Sequence, residues 1–118
     1  MFETLKKRSD FLSLQKTQES WATKTIIIQR QKNELEVNRF GFTVSKRISK
    51  RAVDRNLIKR RFRAIINEVA PEKFGNKYDY VFIARNDALT RPYHDLLGDV
   101  TYAIKKIDSK IEKSNEAK

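Results

Sequence analysis

Apolar residues recur in two rhythms along this chain, and the switches between them mark the elements. Behind a basic leader, Ser9 stands as an N-cap candidate for a short helix through Phe11, Leu12, Leu14 and Gln15 to about Thr17. Residues 25–31 (TIIIQRQ) are β-branched and read as a strand. A polar turn at 32–34 leads to a second strand over 37–45, and the two are expected to pair as an antiparallel hairpin. Along the second strand Phe40, Phe42 and Val44 share one face and Arg39, Gly41, Thr43 and Ser45 the other, because side chains alternate with period two. The aromatic face belongs to a core.

A basic loop, 46–51, precedes a helix expected over 53–69 and stopped by Pro71, since the residue before a proline avoids the α region. Asp54 near its start suits the helix dipole. Residues 78–84 (YDYVFIA) are apolar enough for a central strand, so strand, helix and strand follow one another as in a βαβ crossover. Thr90 and Pro92 mark the start of a last helix whose buried stripe is Tyr93, Leu96, Leu97, Val100, Ile104 and Ile107. The polar stretch 108–118 reads as a frayed, disordered tail, leaving 1–107 as one α+β domain in the order α-β-β-α-β-α around a small sheet. Trp21 reads as a hydrophobic plug after the first helix, and His94 as an exposed polar residue.

Charge then changes the picture. The chain has 118 residues and a formal net charge of +11, which draws polyanions, RNA and DNA before a membrane surface. No apolar run approaches the length of a spanning helix, and the start lacks the apolar core of a secretory signal, so a cytoplasmic protein is expected. With no cysteine and one histidine, disulfides, thiolate metal sites and the common His-based catalytic sites have too few members to assemble. The acids Asp79, Asp87, Asp95 and Asp99 are scattered over different elements, which argues against two-metal hydrolysis by this chain and against a small-molecule substrate site.

The cations gather in residues 46–63. On a helical wheel advancing about 100° per residue, Ile58, Phe62, Ile65, Ile66 and Val69 fall in one arc and Asn56, Lys59, Arg60, Arg63 and Asn67 in a neighbouring one. One face packs and the next presents cations and amides. A solvated helix laced by i,i+4 ion pairs is the ordinary reading of a basic helix, yet Glu68 is the only acid after Asp54 in this one. Lys59, Arg60, Arg61 and Arg63 therefore call for anionic charge from outside, and nucleic acid supplies it.

The segment FGFTVSKRISKRAVDRNLIKRRFR resembles the signature of the bacterial ribonuclease P protein subunit. It joins a strand ending Ser45-Lys46-Arg47 to a helix with Arg55-Asn56, Lys59-Arg60 and Arg63, and the likeness extends to Leu5-Lys6-Lys7, Asp10-Phe11 and Ile83-Ala84-Arg85. The resemblance implies a left-handed crossover carrying the Arg-rich helix, and a role beside a catalytic RNA that holds most of the Mg2+ and removes the 5′ leader of precursor tRNA. It makes Lys46, Arg47, Arg55, Asn56, Lys59, Arg60 and Arg63 the RNA-facing set, with Phe11, Ile27, Gln29, Thr43 and Ser45 lining a cleft for the leader. It implies no catalytic or metal-holding side chain in this chain itself. Three positions depart from the family: Leu57 replaces a usual arginine, and Gln15 and Gln29 stand where many relatives have aromatic residues. Base stacking in the cleft then gives way to hydrogen bonding.

Alternatives stay open for two of these residues. Asn56 fits helix-start capping as well as an RNA contact, and Phe11 fits a core position as well as a stacking platform. A ribosomal protein, binding RNA without tRNA processing, is the competing function. A helix-turn-helix regulator is disfavoured because a strand, not a helix, precedes the basic helix.

Overall fold

The computed structural model describes residues 3–35, 37–69 and 77–116, with side chains as far as 110. The chain runs β1 (Glu3–Thr4), α1 (Arg8–Leu14), β2 (Ser20–Ala22), β3 (Ile26–Lys32), β4 (Arg39–Thr43), α2 (Ala52–Val69), β5 (Tyr78–Ala84) and α3 (Tyr93–Glu116). The five strands form one mixed sheet in the order β1-β4-β5-β3-β2.

The expected hairpin of the strands at 25–31 and 37–45 does not form. β5 lies between them, parallel to β4 with Phe42 opposite Phe82, and antiparallel to β3 with Ile28 opposite Phe82. β5 is the strand most deeply buried on both faces, and the middle of the sheet is where both faces are covered. The β4-α2-β5 crossover is therefore as expected, while β3 pairs in a hairpin with the short edge strand β2. Neither β1 nor β2 shows in the sequence pattern, because two or three residues carry no periodicity.

Alternation along the strands divides the core. Ile26, Ile28, Phe40, Tyr80, Phe82 and Ala84 face α2 and α3, meeting Ile58, Phe62, Ile65 and Ile66 from α2 and Leu96, Val100, Ala103, Ile104 and Ile107 from α3. The opposite face is covered in part by α1, through a small cluster of Leu5, Leu14 and Val81 with Phe11 and Ile83 against it. The core face assigned to α2 is thus observed, with Val69 half-buried at its end. Pro71 lies outside the described residues.

Other boundaries shift for local reasons. The cap of α1 is Lys7 rather than Ser9: its carbonyl accepts from the backbone N–H groups of Asp10 and Phe11. The chain turns helical as soon as it leaves the sheet, where the Leu5 N–H donates to the Phe40 carbonyl at 2.8 Å. α1 ends at Leu14 because the Thr17 hydroxyl donates to the Arg30 carbonyl at 2.8 Å, drawing the chain into β2. Tyr93 is 38% exposed rather than part of the buried stripe, and its hydroxyl donates to Glu68 at 2.8 Å.

Nor does α3 stop near Ile107. The helix continues to Glu116, and Asp108 accepts from Arg30 Nη1 at 2.7 Å while Lys110 Nζ donates to the Gln18 carbonyl. Arg30 is 4% exposed, on the helix-facing side of β3, bonded also to Glu19 at 2.9 Å and set over the Tyr78 ring at 4.5 Å. Burial opposes its charge, but the hydrogen bonds to Glu19 and Asp108 outweigh burial and raise its pKa above the ordinary guanidinium value. Removing both carboxylates from around a buried cation is expected to cost about 3 kcal/mol, and exchanging the arginine for an apolar chain much less. Urea unfolding followed by Trp21 fluorescence should therefore show Glu19→Ala/Asp108→Ala well below Arg30→Met in stability.

Candidate nucleic-acid interface

β4 delivers the chain to the basic loop, and the loop is built to hold α2 by its start. The Ile48 N–H donates to the Ser45 carbonyl, and the Ser49 hydroxyl donates to Asp54 Oδ2 at 2.9 Å while accepting from the Arg51 N–H. Arg51 caps the helix with its carbonyl, which accepts from the N–H groups of Asp54 and Arg55. Asp54 is thereby held at the helix start, where its charge complements the dipole.

Arg55 is half-buried and donates to the Ser49 carbonyl at 2.9 Å, bracing the loop with part of its fork. Lys46, Arg47, Asn56, Arg60 and Arg63 are exposed, and Lys59 is half-buried. Among the described residues none of these cations makes an ion pair. Arg63 lies over the Phe42 ring with its guanidinium carbon 5.4 Å from the centroid, a packing that steadies the side chain and leaves its charge uncompensated.

Arg61 behaves differently from its neighbours. Its Nη1 donates to the carbonyls of Ala88 and Leu89 and its Nη2 to that of Arg91, so it ties α2 to the turn before α3. Burial lowers its pKa. Unlike Lys59, Arg60 and Arg63, Arg61 therefore calls for no outside anion, because three backbone carbonyls already satisfy it. The wheel holds no trace of this, since the accepting turn is distant in sequence.

On the other face of the sheet, Phe11 from α1 lies directly on Gly41. A Cβ at Gly41 would stand 2.6 Å from Cε1 and Cζ of that ring and 3.2 Å from Leu5 Cβ, so the glycine is what admits the aromatic. Phe11 is half-buried, its inner side packed with Leu5, Leu14 and Val81. Ile27 and Gln29 share this face, half-buried, with Thr43 and Ser45 exposed toward the end of β4. The five residues assigned to a cleft thus lie on one side of the sheet. Gln29 Oε1 is buried without a partner, and Gln15 is exposed at the end of α1. Arg39 closes the far end: it clamps Asp79 at 2.8 and 2.6 Å and reaches Asp10 of α1 at 3.7 Å.

The two surfaces meet at the carboxyl ends of the parallel strands β4 and β5. A shallow cavity of about 220 Å³ there is lined by Ser45, Arg47, Ile48, Ala84, Arg85 and Asn86. Crevices beyond the carboxyl ends of parallel strands are ordinary ligand positions. Arg85 and Asn86 had no place among the assigned site residues; only the pairing of β4 with β5 brings them beside Ser45 and Arg47. Asp99 and Asp79 are taken by Arg91 and Arg39, and no group of three His, Cys, Asp or Glu able to hold a metal ion occurs among the described residues.

A family model described as Ribonuclease P matches residues 2–108. The chain belongs to the ribonuclease P protein family. It is 36% identical to the ribonuclease P protein component of Paramagnetospirillum magneticum, over 98% of this chain and 89% of that one. The corresponding protein of Alkaliphilus oremlandii is 33% identical, over 88% of this chain and 90% of its own. The solved RNase P protein of Staphylococcus aureus superposes with a TM-score of 0.77 at 26% identity, over 89% of this chain and 94% of that one. The chain is thus a protein component of ribonuclease P, an endoribonuclease, and the ribosomal-protein alternative is not favoured. No described helix is long and apolar enough to cross a membrane.

Two outcomes test this arrangement. Gly41→Ala should lose about 1–3 kcal/mol by overpacking against Phe11, and adding Phe11→Leu should restore part of that loss in urea unfolding. Arg61→Ala should lose about 2 kcal/mol through its carbonyl contacts, while Arg60→Ala should stay within about 0.5 kcal/mol of the parent.

Proposed function

We propose that the basic loop and α2 seat this protein on the catalytic RNA of ribonuclease P, and that the face between α1 and the sheet receives the 5′ leader of precursor tRNA. The observation that carries the reading is the set of uncompensated cations at Lys46, Arg47, Lys59, Arg60 and Arg63, continuous through Ser45 with the cleft. Phosphates laid along the arc release condensed counterions, and the forked guanidinium groups of Arg60 and Arg63 suit phosphate oxygens geometrically. Asn56, exposed within the arc, presents an amide to a base edge or ribose hydroxyl.

In the cleft, Ile27 and the outer edge of Phe11 supply apolar surface, and Gln29, Thr43 and Ser45 supply polar groups. A single strand is held there by its backbone and sugar edges with little aromatic stacking. Magnesium would be held by the RNA and would supply the hydrolytic chemistry there; this chain contributes substrate binding and neutralises phosphate charge. The working complex is cytoplasmic.

Cleavage of precursor tRNA by the cognate catalytic RNA at low magnesium should depend on this protein. With Arg55, Lys59, Arg60 and Arg63 all changed to alanine that dependence should disappear. The slope of log affinity against log salt should flatten by roughly 0.7–0.9 for each phosphate that is no longer neutralised. A protein that leaves cleavage unaltered, or a quadruple variant with an unaltered slope, refutes the reading.

A further inference from the structure

α2 carries a third face that neither the core nor the cationic arc explains. Val53 is 56% exposed and Leu57 40% exposed, and Ala64 is exposed as well. With Arg55 at zero these three fall at about 160°, 200° and 180° on the wheel, beyond Arg60 at about 140°. At the far end of the same face, Glu68 accepts from the hydroxyl of Tyr93, placing a partly exposed aromatic ring beside the helix. The stripe runs from Val53 to Glu68, about 22 Å at 1.5 Å per residue. Single exposed aliphatic residues are common on protein surfaces. Two branched ones a single turn apart, beside an arc of arginine and lysine, form a patch.

Its surroundings identify what covers it. Arg60 and Asn56 border it on the side of the cationic arc, and the only acid on the stripe, Glu68, is engaged by Tyr93. An apolar protein surface would have to meet uncompensated cations at its rim. A nucleic acid has the matching composition, with anionic phosphates for the arc and apolar ribose and base faces for the stripe. Resting on the function proposed above, we infer that Val53 and Leu57, one helical turn apart, form an apolar subsite for an unstacked nucleotide of the same RNA that lies on the cationic arc of α2. Leu57, standing where a phosphate-binding arginine is usual in the family, then replaces a salt-sensitive contact with a salt-insensitive one.

Affinity for labelled catalytic RNA, measured over a salt series, separates the two kinds of contact. Val53→Ser/Leu57→Gln should weaken binding roughly tenfold at every salt concentration with an unchanged slope, as for the loss of about one stacked base. Val53→Met/Leu57→Met should keep the parent affinity, and Leu57→Arg should steepen the slope by roughly 0.7–0.9. Ribose acylation of the RNA should show a nucleotide protected by the parent protein and released by the Ser/Gln variant. Unfolding midpoints of these exposed variants report that each is folded. Unchanged affinity in the Ser/Gln variant overturns the inference. So does a self-associating parent protein that the same changes make monomeric, because the stripe then joins two copies. If the quadruple alanine variant leaves the slope unaltered, the function itself has failed, and the result is recognisable as such.

Discussion

Phe62 of α2 meets Phe82 of β5 with ring centroids 5.6 Å apart, edge to face, and Phe82 in turn meets Phe40 and Phe42 of β4 at 6.0 Å each. One side chain on the middle strand therefore joins the helix to both parallel strands. Aromatic groups in this geometry add to the burial of their area. Because Phe62 and Ile58 are fixed here, the arc that holds Lys59 and Arg63 is turned outward at a set angle, and Arg63 is laid over the Phe42 ring. The same strand pair ends at the cavity where the loop, the cleft and Arg85 converge. Displacing Phe82 would move all of them together.

The cations divide into two groups that sequence neighbours do not share. Arg30, Arg39 and Arg91 are bonded to carboxylates and Arg61 to backbone carbonyls, each tying elements that are far apart in the chain. Arg47, Arg60 and Arg63 have no ion-pair partner among the described residues. Arg60 and Arg61 differ only by a step of about 100° around the helix, and that step takes one side chain into solvent and the other onto the turn before α3. Charged groups used internally cost desolvation and fix geometry; those left outside retain their field for a polyanion.

Much of this was legible from residues alone because it depends on local periodicity. The core face of α2, the alternation that puts Phe40 and Phe42 inward, the apolar β5 and the exposed positions of Asn56, Arg60 and Arg63 all follow from 3.6- and 2-residue repeats. The Ser45-Lys46-Arg47 and Arg55-Asn56 motifs that carry the family resemblance are likewise displayed in full by a short segment. The cap of α1, the two short strands and the end of α3 were not legible. Lys7 caps because Leu5 is pinned to Phe40, and the continuation of α3 past Ile107 includes Asp108, which meets a buried arginine on β3.

Which residues form the elements, and which of their faces are apolar or cationic, is a property of side chains a few positions apart, and the chain specifies it before it folds. Strand partners are another matter. A strand offers donors and acceptors on both edges whatever its side chains, so hydrophobic alternation cannot say whether β4 lies beside β3 or β5. That choice follows from burying the most apolar strand in the middle of the sheet beneath α2 and α3. It alone places Arg85 and Asn86 beside Arg47, Phe11 upon Gly41, and the carbonyls of the last turn within reach of Arg61.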